Sequence, residues 1–142
     1  MKIKSIFVAA MAAMMTACSS ADKVEFKEAE GYFFKNGQPS PKSILVMRSK
    51  EELEKHFGYA ATMSRRPTEV DFSKQAVIAI VLPEMDIDAN VRITGIANQP
   101  KGLKVDYKIK SGKQLSYTIQ PMTMVVIDKA KLKGTVTANQ KD

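Results

Sequence analysis

The sequence predicts an α+β domain built on a meander-rich antiparallel β-sheet, with one short amphipathic helix packed on it. Three observations support this fold class. The apolar run from Ala76 to Leu82 is typical of a central strand covered on both faces. Apolar and polar residues alternate from Leu103 to Lys110 and again from Gln114 to Gln120, as in strands with one face in water. Helix signals occur only once, near residue 50.

Short strands are predicted ahead of that helix. Val24-Glu25-Phe26 and Tyr32-Phe33-Phe34 are short apolar segments, and Asn36-Gly37 is a turn signal. The apolar run within Ser43–Arg48 indicates a buried strand.

The helix begins after Ser49, which can cap it, and Glu52 completes a capping box three residues later. Leu53 and Phe57 are four residues apart and share one face. Gly58 is the predicted end of the helix.

The second half of the chain predicts a central strand followed by the meander. Pro83 ends the central strand, and an acidic loop follows from Glu84 to Asn90. Further strands, turns and a basic edge are then expected in this order: Val91–Ile96, the turn Asn98–Gly102, Leu103–Lys110, the turn Ser111–Lys113, a strand with Leu115, Tyr117 and Ile119 inward, Met124–Ile127, and Lys129–Lys133.

The first residues have the order of an export signal. Lys2 and Lys4 supply positive charge, and an uncharged apolar core runs from Ile6 to Ala13. The uncharged stretch is slightly short for a bilayer-spanning helix, which needs roughly 20 apolar residues. Cleavage after Ala17 is therefore expected.

Met15-Thr16-Ala17-Cys18 resembles the lipobox of bacterial lipoproteins. The resemblance implies that the thiol of Cys18 becomes a thioether to diacylglycerol and that the new amino terminus carries a further acyl chain such as palmitate. Ser19 stands where an acidic residue would retain such a protein at the inner membrane, so the resemblance implies the outer membrane and leaves its facing side open. Two or three acyl chains give stable anchoring. The alternative is an ordinary secretory signal whose cleavage site contains a cysteine.

Four regions follow from these signals. They are a signal peptide at 1–17, the lipidated cysteine with its tether at 18–23, one α+β domain at 24–138 and a polar tail at 139–142. Removing the signal peptide lowers the formal net charge from +7 to +5. A basic envelope domain fits a membrane surface or an acidic protein face, and nucleic acid is not an expected partner.

The segment from Asp71 to about Lys131 resembles the protease complex subunit PrcB family of small lipoproteins. The shared elements are an Asp-Phe-Ser entry at Asp71, the apolar strand, a Leu-Lys-Val-Asp-Tyr strand at Leu103 and a Pro-x-x-x-Val-Val-Ile-x-Lys strand at Pro121. The family usually has a Thr-Gly-Gly-Tyr-like turn where this chain has Asp86–Asn90. The resemblance implies a role in binding, stabilising or inhibiting a protease. Together with the lack of recognisable catalytic groups, it leads us to expect a non-enzymatic module that binds an envelope protein.

Catalytic, cofactor and metal sites are not expected. His56 is the only histidine and lies on the predicted helix, and no Gly-x-Ser-x-Gly motif is present. Cys18, the only cysteine, is assigned to the lipid, so it leaves no thiolate in the domain.

Two groups of charged residues are candidate binding sites. The first is the acidic loop, whose oxygen-bearing side chains alternate as Glu84, Asp86, Asp88 and Asn90. It suggests a partner site or, as the alternative function, a small-ligand or cation site. The second is a basic patch on one hairpin, formed by Lys101, Lys104, Lys108, Lys110 and Lys113. It suits lipid phosphates or an acidic partner, while lysines on an edge hairpin also prevent aggregation.

Overall fold

The computed structural model describes residues 23–35, 43–59 and 66–141. The predicted signal peptide, Cys18 and the turn at Asn36-Gly37 lie outside these residues. Within them the secondary structure is β1 Phe26–Glu28, β2 Tyr32–Phe34, β3 Ser43–Met47, α1 Lys50–His56, β4 Phe57–Tyr59, β5 Gln75–Val81, β6 Met85–Gln99, β7 Gly102–Ile119, β8 Met122–Asp128, the 3-10 helix η1 Lys129–Lys131 and β9 Thr135–Lys141. The domain is thus mainly antiparallel sheet with one short α-helix, in agreement with the predicted α+β class.

A four-stranded antiparallel sheet with the order β1-β8-β5-β3 forms the centre of the domain. Strand β5 is the predicted central strand, and every residue from Ala76 to Val81 is fully buried. Successive side chains of a strand point to opposite faces. Ala76, Ile78 and Ile80 therefore enter one core, whereas Val77, Ala79 and Val81 enter the other.

A three-stranded sheet with the order β6-β7-β9 covers one face of the central sheet. Strands β6 and β7 form an antiparallel hairpin around Pro100-Lys101, and β9 pairs with β7 in parallel. The inward face of β7 is the predicted one, since Leu103, Val105 and Tyr107 are buried.

The opposite face of the central sheet is covered by α1 and by the two-stranded sheet of β2 and β4. Leu53 of α1 and Phe57 at the start of β4 are buried there. The ring of Phe34 meets that of Phe57 edge-on with a centroid separation of 5.6 Å. An aromatic pair in this geometry is favourable, and it joins β2 to β4, since Phe34 and Phe57 are opposite each other in this strand pair.

The start of α1 agrees with the sequence prediction, and its end does not. The Ser49 hydroxyl accepts a hydrogen bond from the Glu52 amide at 3.1 Å, and the Glu52 carboxylate accepts one from the Arg48 amide at 2.9 Å. Phe57, not Gly58, caps the helix, and the chain passes directly into β4. Gly58 instead makes room for a ring, because a β-carbon there would lie 2.5 Å from Cζ of Phe33.

Two predicted connections are strands in the structure. The expected acidic loop from Glu84 to Asn90 is the first part of β6 from Met85 onward, and the expected turn at Ser111–Lys113 lies within β7. Each segment supplies the other's backbone partners, as in the pair Ala89 and Ser111. Strand β7 has more residues than β6 in this region, and the difference produces irregular pairing such as β-bulges. The chain does not reverse direction at the predicted turn.

The expected meander therefore extends no further than the β6–β7 hairpin. Strand β8 pairs with β5 and β1, because its side chains are apolar on both faces and need cover on both. Met124 and Val126 face one core, and Val125 and Ile127 face the other.

Strand β9 is an addition to the predicted elements. The expected basic edge at Lys129–Lys133 contains η1, and β9 continues through Lys141 into the residues predicted as a polar tail. Most of its side chains are polar and exposed, but Val136 and Ala138 pack against the core between the sheets, and its backbone pairs with β7.

Candidate functional site

The domain has two ends with different surfaces. Residues 95–104 and 129–138 surround the β6–β7 turn, and we call them the turn end. The opposite end carries the segments 85–90 of β6 and 110–119 of β7, which we call the ribbon.

The described chain enters the domain at the turn end. Lys23 forms an isolated bridge with Ala97 of β6. The Val24 amide donates to the Ile96 carbonyl at 2.8 Å, and the Val24 side chain is buried in the core between the sheets. The predicted lipidation site Cys18 lies outside the described residues, five positions before Lys23.

The acidic candidate residues lie on a strand and point the same way. Asp86, Asp88 and Asn90 alternate on β6 and are exposed, and Glu84 is an exposed residue just before the strand. Cα atoms two positions apart on a strand are separated by about 6.7 Å, and those four apart by about 13 Å. Oxygen ligands of one Ca²⁺ ion each lie about 2.3–2.6 Å from it. The strand therefore spreads these side chains along an edge.

No group of three or more His, Cys, Asp or Glu side chains in the described ranges is arranged to hold a metal ion. Asn90 contributes instead to an open groove of about 440 Å³ between β1, β6 and β8, together with Glu28, Arg92 and Met122. The Arg92 guanidinium meets the Glu28 carboxylate there at 3.1 Å.

The ribbon exposes apolar side chains between charged ones. Tyr117 is 62% exposed and Ile87 is 40% exposed. The sequence predicts Tyr117 as an inward residue. That prediction is wrong, because β7 has more residues than β6 in this region and the pairing is irregular on both sides of Ile87.

Contacts within the ribbon hold its two strands together. The Gln114 side-chain amide donates to the Asp86 carbonyl at 2.9 Å. A β-carbon on Gly112 would lie 3.3 Å from Oδ2 of Asp88, so the Asp88 carboxylate lies beside this glycine. The exposed apolar groups are therefore presented on a hydrogen-bonded strand pair.

The structure does not gather the five lysines of the basic patch. Lys104, Lys108, Lys110 and Lys113 lie on one strand, and the nine positions from Lys104 to Lys113 correspond to roughly 30 Å of extended chain. Lys101 is in the turn. The predicted patch is therefore a stripe that runs from the turn end to the ribbon.

The middle of this stripe carries a row of cations across three strands. Lys108 pairs with Arg92 of β6 on one side and with Lys141 of β9 on the other. In the next row toward the turn, the Asn139 amide donates to the Asp106 carboxylate at 3.0 Å. Like charges opposite each other weaken strand pairing, so the other pairs of the sheet offset the repulsion within this row.

The only histidine lies away from both charged surfaces. His56 is the last residue of α1 and is partly buried, and its carbonyl accepts a hydrogen bond from the Lys35 amide at 2.9 Å.

The two-stranded sheet of β2 and β4 forms an aromatic surface that the sequence analysis did not predict. Phe33 is 49% exposed and lies over Gly58. Tyr32 and Tyr59 have ring centroids 5.5 Å apart and line a groove of about 270 Å³. Burial, with a smaller contribution from Glu69, raises the pKa of Tyr32, whose hydroxyl donates to the Thr68 carbonyl. The only sequence feature that could have indicated this surface is the run of three aromatic residues at 32–34.

Comparisons with known proteins identify no relative. No protein-family model, no curated protein and no solved structure matches this chain. In residues 23–35, 43–59 and 66–141, no helix is both long and apolar enough to cross a membrane.

Proposed function

We propose that this protein is an outer-membrane lipoprotein whose folded domain binds another envelope protein without catalysing a reaction. The observation that carries the proposal is the ribbon, where Ile87 and Tyr117 are exposed on a strand pair. Burying large exposed apolar side chains in an interface is favourable, and aromatic residues often contribute much of the binding energy of protein interfaces.

Anchoring is supported by the order of signals in the sequence. A positive start, an apolar core and the lipobox-like Met15–Cys18 lead to a five-residue tether and then to the first core residue, Val24. The residue after the cysteine, Ser19, supports the outer membrane over the inner membrane.

The ribbon also has charge that would select a partner. Glu84 is exposed just before β6, and Asp86 and Asp88 are exposed on the strand, on the face opposite to Ile87. Such charges raise association rates with a basic partner and suppress pairing with an acidic one. Strand β6 is the outer strand of its sheet, and no described strand pairs with its free edge between Met85 and Asn90. A partner strand added there would gain main-chain hydrogen bonds.

The proposed partner class follows from the resemblance of residues 71–131 to the PrcB family. We propose an envelope protease as the first partner to test. The ribbon replaces the family's usual Thr-Gly-Gly-Tyr-like turn, so this chain would select its partner with the acidic segment 86–90.

The test has one arm for the anchor and one for the partner. In the first, membranes are washed and fractionated for the natural chain and for Cys18→Ser. We expect the natural chain in the outer-membrane fraction and the variant released from it. Equal membrane retention of the two chains would refute the anchor.

In the second arm, cross-linked complexes are recovered from membranes and their stoichiometry is measured. We expect a one-to-one partner whose recovery falls at least tenfold for the double variant Ile87→Ser/Tyr117→Ser. The control is Phe33→Ser, which removes a comparably exposed apolar side chain elsewhere. Absence of a stoichiometric partner, or equal loss with both variants, would contradict the proposal.

A further inference from the structure

The turn end carries positive charge without any acidic residue in its own segments. Residues 95–104 and 129–138 contain five lysines and no Asp or Glu. Lys101, Lys131 and Lys133 are exposed, and Lys104 and Lys129 are partly exposed. Exposed lysines near a surface of anionic lipids each contribute about 1 kcal/mol of attraction, which is roughly a fivefold change in binding.

Backbone contacts hold these lysines on one surface. The Thr135 amide donates to the Lys101 carbonyl at 2.9 Å, which joins the start of β9 to the β6–β7 turn. The Leu132 amide donates to the Lys129 carbonyl at 3.1 Å and closes η1. The lysines of η1 and of the turn are therefore carried by one connected piece of the fold.

The nearest acidic groups do not cancel this charge. The Asp128 carboxylate precedes η1 and accepts a hydrogen bond from the Ala130 amide at 3.0 Å. Glu25 is an exposed residue just before β1, and it lines an open groove together with Lys27 and Lys74. Asp71 lies near Lys74 and Lys129, and Asp106 pairs with Gly95, so these two carboxylates belong to the same end. Among the described residues, seven lysines still outnumber the four carboxylates there: Lys23, Lys74, Lys101, Lys104, Lys129, Lys131 and Lys133 against Glu25, Asp71, Asp106 and Asp128.

The proposed lipid tether joins the domain at this same end. Lys23 is bridged to Ala97, and Ala97 pairs with Lys104. Five residue steps from Cys18 to Lys23 span at most about 18 Å when fully extended. An anchored domain is therefore held with its basic end close to the bilayer, where surface charge acts over about 8–10 Å at physiological salt.

The β6 strand of the ribbon is negatively charged, in contrast to the turn end. Glu84, Asp86 and Asp88 are exposed at the end of the domain away from the tether. The β7 strand of the ribbon carries Lys110 and Lys113, which offset these carboxylates. The ribbon is therefore close to neutral, and an anionic surface attracts the turn end more strongly.

We infer that the turn end rests on the anionic phospholipid surface of the bilayer that holds the anchor, through Lys101, Lys131 and Lys133. This inference rests on the proposed anchoring at Cys18. The docked domain presents the ribbon away from the membrane, where it is free to meet the partner.

The experiment uses the full lipidated protein in vesicles. Because Cys18 is then a thioether, a single introduced cysteine is the only free thiol. A fluorophore is attached through Ala130→Cys at the turn end or through Ser116→Cys on the ribbon, both at exposed positions. Quenching by a lipid with a quencher on its headgroup is compared in vesicles of phosphatidylcholine alone and of phosphatidylcholine with phosphatidylglycerol.

We expect strong quenching at position 130 in the anionic vesicles only, with loss at high salt, and little quenching at position 116. The triple variant K101Q/K131Q/K133Q should lower the ratio of docked to undocked domain on the order of 100-fold. The control K108Q/K110Q/K113Q removes the same charge from the stripe and the ribbon and should preserve docking.

Two kinds of result would contradict the inference. Equal quenching at the two positions, or equal losses with the two triple variants, overturns the inference while the anchor stands. Release of the natural protein from vesicles by salt alone removes the proposed anchor, and the inference falls with it.

Discussion

Replacing Gly102 by alanine tests whether the parallel pairing of β7 with β9 holds the turn end together. Gly102 is buried and has φ of +151°, a backbone conformation that residues with a side chain rarely adopt. A β-carbon there would lie 1.9 Å from the Thr135 carbonyl oxygen and 2.6 Å from the Thr135 nitrogen. Since these are backbone atoms, no side-chain rotation relieves the contact.

The expected destabilisation follows from these distances. Real β-carbons essentially never approach closer than 3.0 Å, so β9 would have to move away by more than 1 Å. That movement breaks the hydrogen bond from the Thr135 amide to the Lys101 carbonyl. Backbone strain of about 1–3 kcal/mol and one or two lost hydrogen bonds of about 0.5–1.5 kcal/mol each predict a loss of about 1.5–6 kcal/mol.

Urea unfolding measures the difference, and Gly95→Ala is the matched control. Gly95 is also on the β6–β7 hairpin, and a β-carbon there would enter open space, with nothing within 4 Å beyond its neighbours in the chain. We expect Gly95→Ala to change the free energy of unfolding by less than about 1 kcal/mol. A Gly102→Ala protein within about 0.5 kcal/mol of the natural chain would show that the β7–β9 pairing contributes little to stability.

Two further predictions concern the helix cap and a carboxylate. Ser49→Ala removes the hydroxyl that accepts from the Glu52 amide and should lower the free energy of unfolding by about 1 kcal/mol, with the exposed Ser116→Ala as the unchanged control. Hydrogen bonds from the Ser73 hydroxyl and amide lower the pKa of Asp71 below its ordinary value of 3.8. The ionised Asp71 carboxylate therefore contributes its full stabilisation above pH 3.8, and this contribution is lost as the pH falls through the lower pKa of the folded protein. We expect Asp71→Asn to weaken the dependence of the urea unfolding midpoint on pH in acid. An unchanged slope would refute this.

Local patterns were sufficient for several elements of the fold. Strand β5 was predicted from an apolar run ended by Pro83, and all its residues from Ala76 to Val81 are buried. The start of α1 was predicted from Ser49 and Glu52, whose bonds connect residues three or four positions apart. Such interactions depend on neighbours along the chain, so a single sequence reveals them.

Elements that depend on distant partners were not predictable in the same way. Strand β9 is mostly polar, with only Val136 and Ala138 facing the core, and it is positioned by pairing with β7, more than thirty residues earlier. The acidic segment of β6 has the composition of a loop, yet its backbone is paired with β7. The exposure of Tyr117 likewise follows from the irregular pairing of these two strands.

Short-range composition and periodicity were enough to predict the fold class, the central strand and the inward face of β7 at Leu103, Val105 and Tyr107. The anchor at Cys18 rests on the same kind of local pattern and stays a prediction. Only the tertiary structure decided that the lysines of β7 form a stripe and that the chain enters beside the basic turn end. It also decided that Ile87 and Tyr117 share the ribbon at the other end. These relations join residues far apart along the chain, and side-chain packing and strand register bring such residues together.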